Sequence, residues 1–180
     1  LLPMKQIILI TDGNSNTGVS PVTAAARACA RGVIVNVIGI IGEEEEGCRG
    51  EREIADIAKA GGGIYSLVHP WQLTGTMQMM TRRTVAATVR QVVQEELRAI
   101  LKREDADLSD LPPDRRAEIV RSMDRLAETA PIRVALLVDT SASMRPKIQA
   151  VRDAAADLML SLRARTGKSE LAVLHFPWRG

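Results

Sequence analysis

The stretch Arg133-Val134-Ala135-Leu136-Leu137-Val138-Asp139-Thr140-Ser141-Ala142-Ser143-Met144 decides how this chain folds. An apolar run that stops abruptly at polar turn residues is the pattern of a strand buried on both faces. Here the strand delivers an acid, Asp139, and two serines at alternate positions, Ser141 and Ser143, into the loop that follows it. Pro146 then suits the first turn of a helix with Ile148, Val151, Ala155, Leu158, Met159 and Leu162 on one face. Gly167 closes that helix, and residues 171–176 read as a further strand. Near the other end of the chain the arrangement recurs. Gln6-Ile7-Ile8-Leu9-Ile10-Thr11 is a second buried strand, and Asp12-Gly13-Asn14-Ser15-Asn16-Thr17-Gly18 is the turn-rich loop after it.

Between these two landmarks the chain alternates. Pro21 opens an Ala-rich helix over residues 22–31 that stops at Gly32, and residues 33–41 form another apolar strand. A loop carrying Glu43 to Glu46 leads to a helix over 51–60 with Ile54, Ile57 and Ala58 on one side. Gly61-Gly62-Gly63 ends it before a strand over 64–68. Strand and helix in strict alternation with short connections predict crossovers of one hand and a parallel sheet. Residues 71–102 lack proline and repeat apolar residues at helical spacing, from Leu73, Met77 and Met80 to Leu97 and Leu101. Such a helix would run to roughly 45 Å, so a bend near Gly75 or an end projecting beyond the sheet is expected. A polar break over 104–113 precedes a short helix over 114–128 with Ile119, Val120, Met123 and Leu126 inward, stopped by Pro131. The fold class is therefore α/β, a doubly wound, mostly parallel sheet.

Composition narrows the function. With 180 residues and 46% hydrophobic content the chain builds one sizeable core, and at 2% aromatics that core is made of Val, Ile, Leu, Ala and Met. Basic and acidic side chains number 24 and 22 and are interleaved in every helical stretch, which argues against nucleic acid as a partner. No apolar run approaches the ~18 residues that span a membrane. Cys29 and Cys48 are too few for a disulfide framework and lack CxxC spacing, which favours a reducing, cytoplasmic setting. Leu1 is not a methionine, so a start upstream of it is expected.

Ligands of open parallel sheets bind at the carboxyl ends of the strands, where strand order reverses. If the two acid-bearing strands are neighbours, Asp12, Asp139, Ser141 and Ser143 converge there. Hard oxygen donors of this kind suit Mg²⁺ (or Mn²⁺ or Ca²⁺), and two formal negative charges leave such an ion Lewis-acidic toward an incoming carboxylate. The alternative role for Asp139, Ser141 and Ser143 is helix N-capping. Other features read plainly. Glu43 to Glu46 is a solvated loop, and Asn14, Ser15 and Asn16 serve either as outer hydrogen-bonding groups or as ordinary loop residues. Gly167-Lys168-Ser169 follows a helix and has Leu162 where a phosphate loop needs its first glycine. His69 and His175 are structural, and Met77, Met79 and Met80 line the core or a groove.

The segment from Val134 to Met144 resembles the first strand and metal-ion-dependent adhesion site of a von Willebrand factor type A domain. Residues 6–13 are similar to that family's fourth strand with its metal-site aspartate. The resemblance covers most of the chain outside about 104–131 and implies that Ser141 and Ser143 bind a divalent metal directly, with Asp139 and Asp12 acting largely through water. The order is reversed relative to the family, which implies a circular permutation. Residues 1–103 then correspond to strands four to six and the last helix, 104–131 to a linker with a short helix, and 132–180 to strand one, helix one and strand two. The pattern resembles permuted proteins of this type in spore-forming bacteria, whose genes tend to lie in sporulation loci. The family's metal-binding threonine and its third strand would follow Gly180. A longer natural chain is therefore expected, or else a second chain completing the fold, with the linker as a swap hinge in a homodimer.

The resulting expectation is a non-enzymatic, metal-dependent module that binds an Asp or Glu of a partner protein. Two rivals are a phosphatase-like or phosphotransfer enzyme using Asp139, and a metal-free adaptor using the helix over 71–102. The first rival lacks the second acid two residues on, since Ser141 stands there, and shows no phosphate clamp.

Overall fold

The computed structural model describes residues 3–13, 18–42 and 50–177. Five strands, β1 (Met4–Thr11), β2 (Val33–Ile40), β3 (Gly62–Val68), β4 (Ile132–Asp139) and β5 (Ser169–Phe176), form one sheet in the order β3-β2-β1-β4-β5. Every neighbouring pair is parallel. Five α-helices connect them: α1 (Pro21–Cys29), α2 (Glu51–Ala60), α3 (Leu73–Leu101), α4 (Pro113–Thr129) and α5 (Ile148–Arg163). The architecture is Rossmann-like α/β, as the alternation of strand and helix predicts.

The two-residue period of a strand explains how one sheet serves two cores. Ile8 and Ile10 of β1 point into a large cluster with Leu73, Met77 and Met80 of α3, Val151 and Leu158 of α5, and Leu136 and Val138 of β4. Ile7 and Leu9 point the other way, against a smaller cluster of Ala25 from α1, Ile54 and Ile57 from α2, and Val35 and Val37. Helices α1 and α2 thus cover one face while α3 and α5 cover the other. Fully burying each such side chain contributes about 1.5–3 kcal/mol.

From β1 the chain builds outward through β2 to β3. It then returns by α3 and α4 to lay β4 on the other side of β1, and β5 beyond it. Strand order therefore reverses between β1 and β4. The helices that follow these two strands, α1 and α5, pack on opposite faces, so the ends of β1 and β4 mark the switch point at the carboxyl edge of the sheet.

Local chemistry sets the ends. Gly32 at φ +72° and Gly50 at φ +90° take left-handed conformations that suit glycine, and they bound α1 and α2. Beside β2, Asn36 donates to Gln6 Oε1 and Thr84 Oγ1 and accepts from the Ile64 amide, which fixes β1, β2 and β3 where the β2–β3 register shifts. Between α3 and α4, the Ser109 amide donates to Asp107 and holds its carboxyl below the ordinary carboxylate range.

Two expectations are corrected and one alternative is decided. Helix α3 runs unbroken through Gly75, which leaves the projecting end; a 3-10 turn over Pro70–Gln72 precedes it. At roughly 1.5 Å per residue the helix outruns eight-residue strands of about 26 Å, and α4 packs against it. Val120 of α4 and Met159 of α5 are 44% and 36% exposed rather than inward. The strand over 64–68 is an edge, with Ile64 and Tyr65 open to solvent, and β5 is likewise an edge with Val173 and Leu174 exposed. Among the described residues no helix is long and apolar enough to cross a membrane.

Candidate metal centre

The register Ile10↔Val138 carries β1 and β4 side by side to their carboxyl ends, one residue short of Thr11 and Asp139. There the Thr11 hydroxyl donates to Asp139 Oδ2 at 2.9 Å. The loop after β4 then turns on Asp139, whose Oδ1 accepts from the Ser141 amide at 2.8 Å, an Asx-type turn. The Met144 amide donates to the Ser141 carbonyl at 3.1 Å, and its side chain is fully buried in the large cluster, pinning the loop to the core. Thr140 ties the other side, donating from both its amide and its hydroxyl to the Phe176 carbonyl of β5. A 3-10 turn over Ala142–Lys147, containing Pro146, leads into α5.

This geometry brings together all four residues singled out in the sequence. Ser143 Oγ donates to Asp12 Oδ1 at 2.9 Å, and the Ser141 and Ser143 hydroxyl oxygens lie 3.2 Å apart. Asp12 and Asp139 are buried, Ser141 is half-buried and Ser143 is exposed. The carboxylates thus sit beneath a rim of hydroxyls that faces solvent.

Two further groups complete the cluster. One is Thr11, a strand residue whose hydroxyl happens to end on Asp139. The other is Lys147, whose ammonium lies 2.7 Å from Asp12 Oδ2, with the side chains 11% and 5% exposed. A signal for Lys147 was present. A helix N-terminus favours negative charge, yet Lys147 is the residue just before α5 and the first turn of α5 holds no acid. Such a lysine calls for a carboxylate from elsewhere in the chain.

The donor set fits a hard cation in part. A serine hydroxyl that gives its proton to a carboxylate keeps its lone pairs for an ion, and Ser143 is in that state toward Asp12. Both oxygens of Asp139 already accept hydrogen bonds, which suits orienting the loop better than direct ligation. A positive group, the Lys147 ammonium, rests on Asp12, so the cradle accommodates positive charge. Among the described residues no group of three or more His, Cys, Asp or Glu is arranged to hold a metal, so a cation here depends on two carboxylates and the hydroxyls.

The remaining candidates lie apart from this cluster or outside the described residues. Asn14, Ser15 and Asn16, and Glu43 to Glu46, fall in the segments outside the described residues. His69 stacks on Trp71 with ring centroids 4.4 Å apart and planes 4° from parallel, and Trp71 is 70% exposed. His175 sits on β5, paired in register with Val138. Lys168 pairs with Glu170 at 3.0 Å where β5 begins, at the sheet edge opposite the acids. Met77 and Met80 are fully buried core residues, with Met79 packed beside them.

Comparison with known proteins adds relatives. Over 174 residues the chain is 42% identical to the "Uncharacterized protein YabS" of Bacillus subtilis (strain 168), a match covering 97% of this chain and 71% of that protein. The crystal structure of an uncharacterized protein from Alicyclobacillus acidocaldarius subsp. acidocaldarius DSM 446 matches with a TM-score of 0.92 at 43% identity, covering 99% of this chain and 75% of that one. No protein-family profile matches the sequence.

Proposed function

We propose, for a chain that belongs to the family of Bacillus subtilis YabS, a role as a cation-dependent protein-binding module, a circularly permuted domain of the von Willebrand factor type A kind. One observation carries this reading. At the switch point of the sheet, Asp12 from β1's loop meets Ser143 from β4's loop across most of the chain, with Ser141 and Asp139 beside them. The permutation would account for the element order, with residues 104–131 joining the two halves.

In this reading Ser141 and Ser143 offer hydroxyl oxygens to the ion, while Asp12 and Asp139 orient those hydroxyls and the loop. When bound, a divalent cation, Mg²⁺ by donor hardness with Mn²⁺ and Ca²⁺ as alternatives, supplies an open coordination position to an Asp or Glu of a partner protein. Exposed Arg145, two residues after Ser143, favours approach of an acidic surface. Phosphotransfer is less well supported, because both oxygens of Asp139 are engaged by internal donors and the side chain is buried.

Titration with Mn²⁺, followed by electron paramagnetic resonance, tests the proposal. Saturable binding at one site is expected, weakened at least about tenfold in the Ser141→Ala/Ser143→Ala double variant with its circular dichroism unchanged. A partner captured through this face should be released by EDTA. Undiminished Mn²⁺ binding in the double variant would place any ion elsewhere.

A further inference from the structure

We propose that Lys147 is the resident cation of this cluster, its ammonium occupying the place beside Asp12 that any divalent ion must contest. Three observations carry the idea. The Lys147 Nζ lies 2.7 Å from Asp12 Oδ2, and both side chains are nearly withdrawn from water. The other oxygen of Asp12 already accepts from Ser143, so displacing the ammonium would leave that oxygen free to face an ion. Lys147 also sits at the start of α5, where the helix dipole disfavours positive charge, and its ion pair with Asp12 offsets its burial there.

The charges decide the competition. Two carboxylates and one ammonium leave the cluster with a single net negative charge. A divalent ion added while Lys147 stays would make it net positive, with like charges crowded around one carboxylate. The lysine can leave, because its ammonium is a point charge on a flexible four-carbon stem, and its neighbours Arg145 and Pro146 are already at the surface. Entry of the ion and release of the lysine are then one exchange. The exchange half of this inference rests on the cation-dependent reading above; the resident-ammonium half does not.

A double-mutant cycle in EDTA, followed by Mn²⁺ titration, separates the two. Lys147→Met keeps the stem and removes the charge, leaving Asp12 unpaired. It is expected to lower the melting temperature in EDTA, and the Lys147→Met/Asp12→Asn double variant is expected to recover most of that loss. Failure of the single variant to fold, with the double variant folded, would report the same coupling. In Mn²⁺ the Lys147→Met variant should bind roughly tenfold or more tightly than the unmodified chain. Equal stability of the single variant and the unmodified chain in EDTA would overturn the resident cation. Equal Mn²⁺ affinity of the two would overturn the exchange. If neither binds Mn²⁺ while the coupling in EDTA holds, the cation-dependent reading falls and Lys147 stands as the permanent occupant.

Discussion

Asp139 accepts one hydrogen bond from a neighbouring strand and one from its own loop, and this double engagement sets the geometry of everything around it. Thr11→Val keeps the shape of the strand end and removes the donor to Asp139 Oδ2. A hydrogen bond to a charged acceptor contributes about 1.5–3 kcal/mol, so the variant should unfold at correspondingly lower urea. An unchanged midpoint would mean that this hydroxyl does not hold the carboxylate in solution. The acids and serines were legible in the sequence because each follows directly on an apolar run, and a strand end is a local pattern. The partner of Lys147 was not, because a lysine before an acid-free helix start asks for a carboxylate without saying which, and Asp12 lies 135 positions away.

Among the elements, the loop from Asp139 into α5 depends on one anchor. Met144 is fully buried between β4 and the helices, so the serines on either side are held by a hydrophobic contact as much as by hydrogen bonds. Met144→Ala should cost about 2–5 kcal/mol. It should also broaden the amide resonances of Ser141 and Ser143, which nuclear magnetic resonance can read; sharp, unshifted signals would show the loop to be self-supporting. Helix and strand placement followed from periodicity nearly everywhere. The misjudged positions, Val120 and Met159, are apolar residues at correct helical spacing that remain exposed. Periodicity tells which residues share a face, and only the packing of whole elements tells whether that face is buried.

At the scale of the whole molecule, the defining contact is the pairing of β1 with β4, strands from opposite ends of the chain that share one sheet and one core. Neither the part before residue 104 nor the part after it contains that core alone. Fragments 1–103 and 104–180 are therefore expected to be largely unfolded when separate and to regain helical circular dichroism when mixed. A fold regained by the first fragment by itself would argue against a shared core. The same reversal of strand order has a consequence for inheritance. Because Asp12, just after β1, is bonded to both Ser143 and Lys147, after β4, a change of backbone path on either side shifts the partner of the other. Descent should therefore keep or lose Asp12, Ser143 and Lys147 as a set, although the chain separates the first from the last by 135 positions.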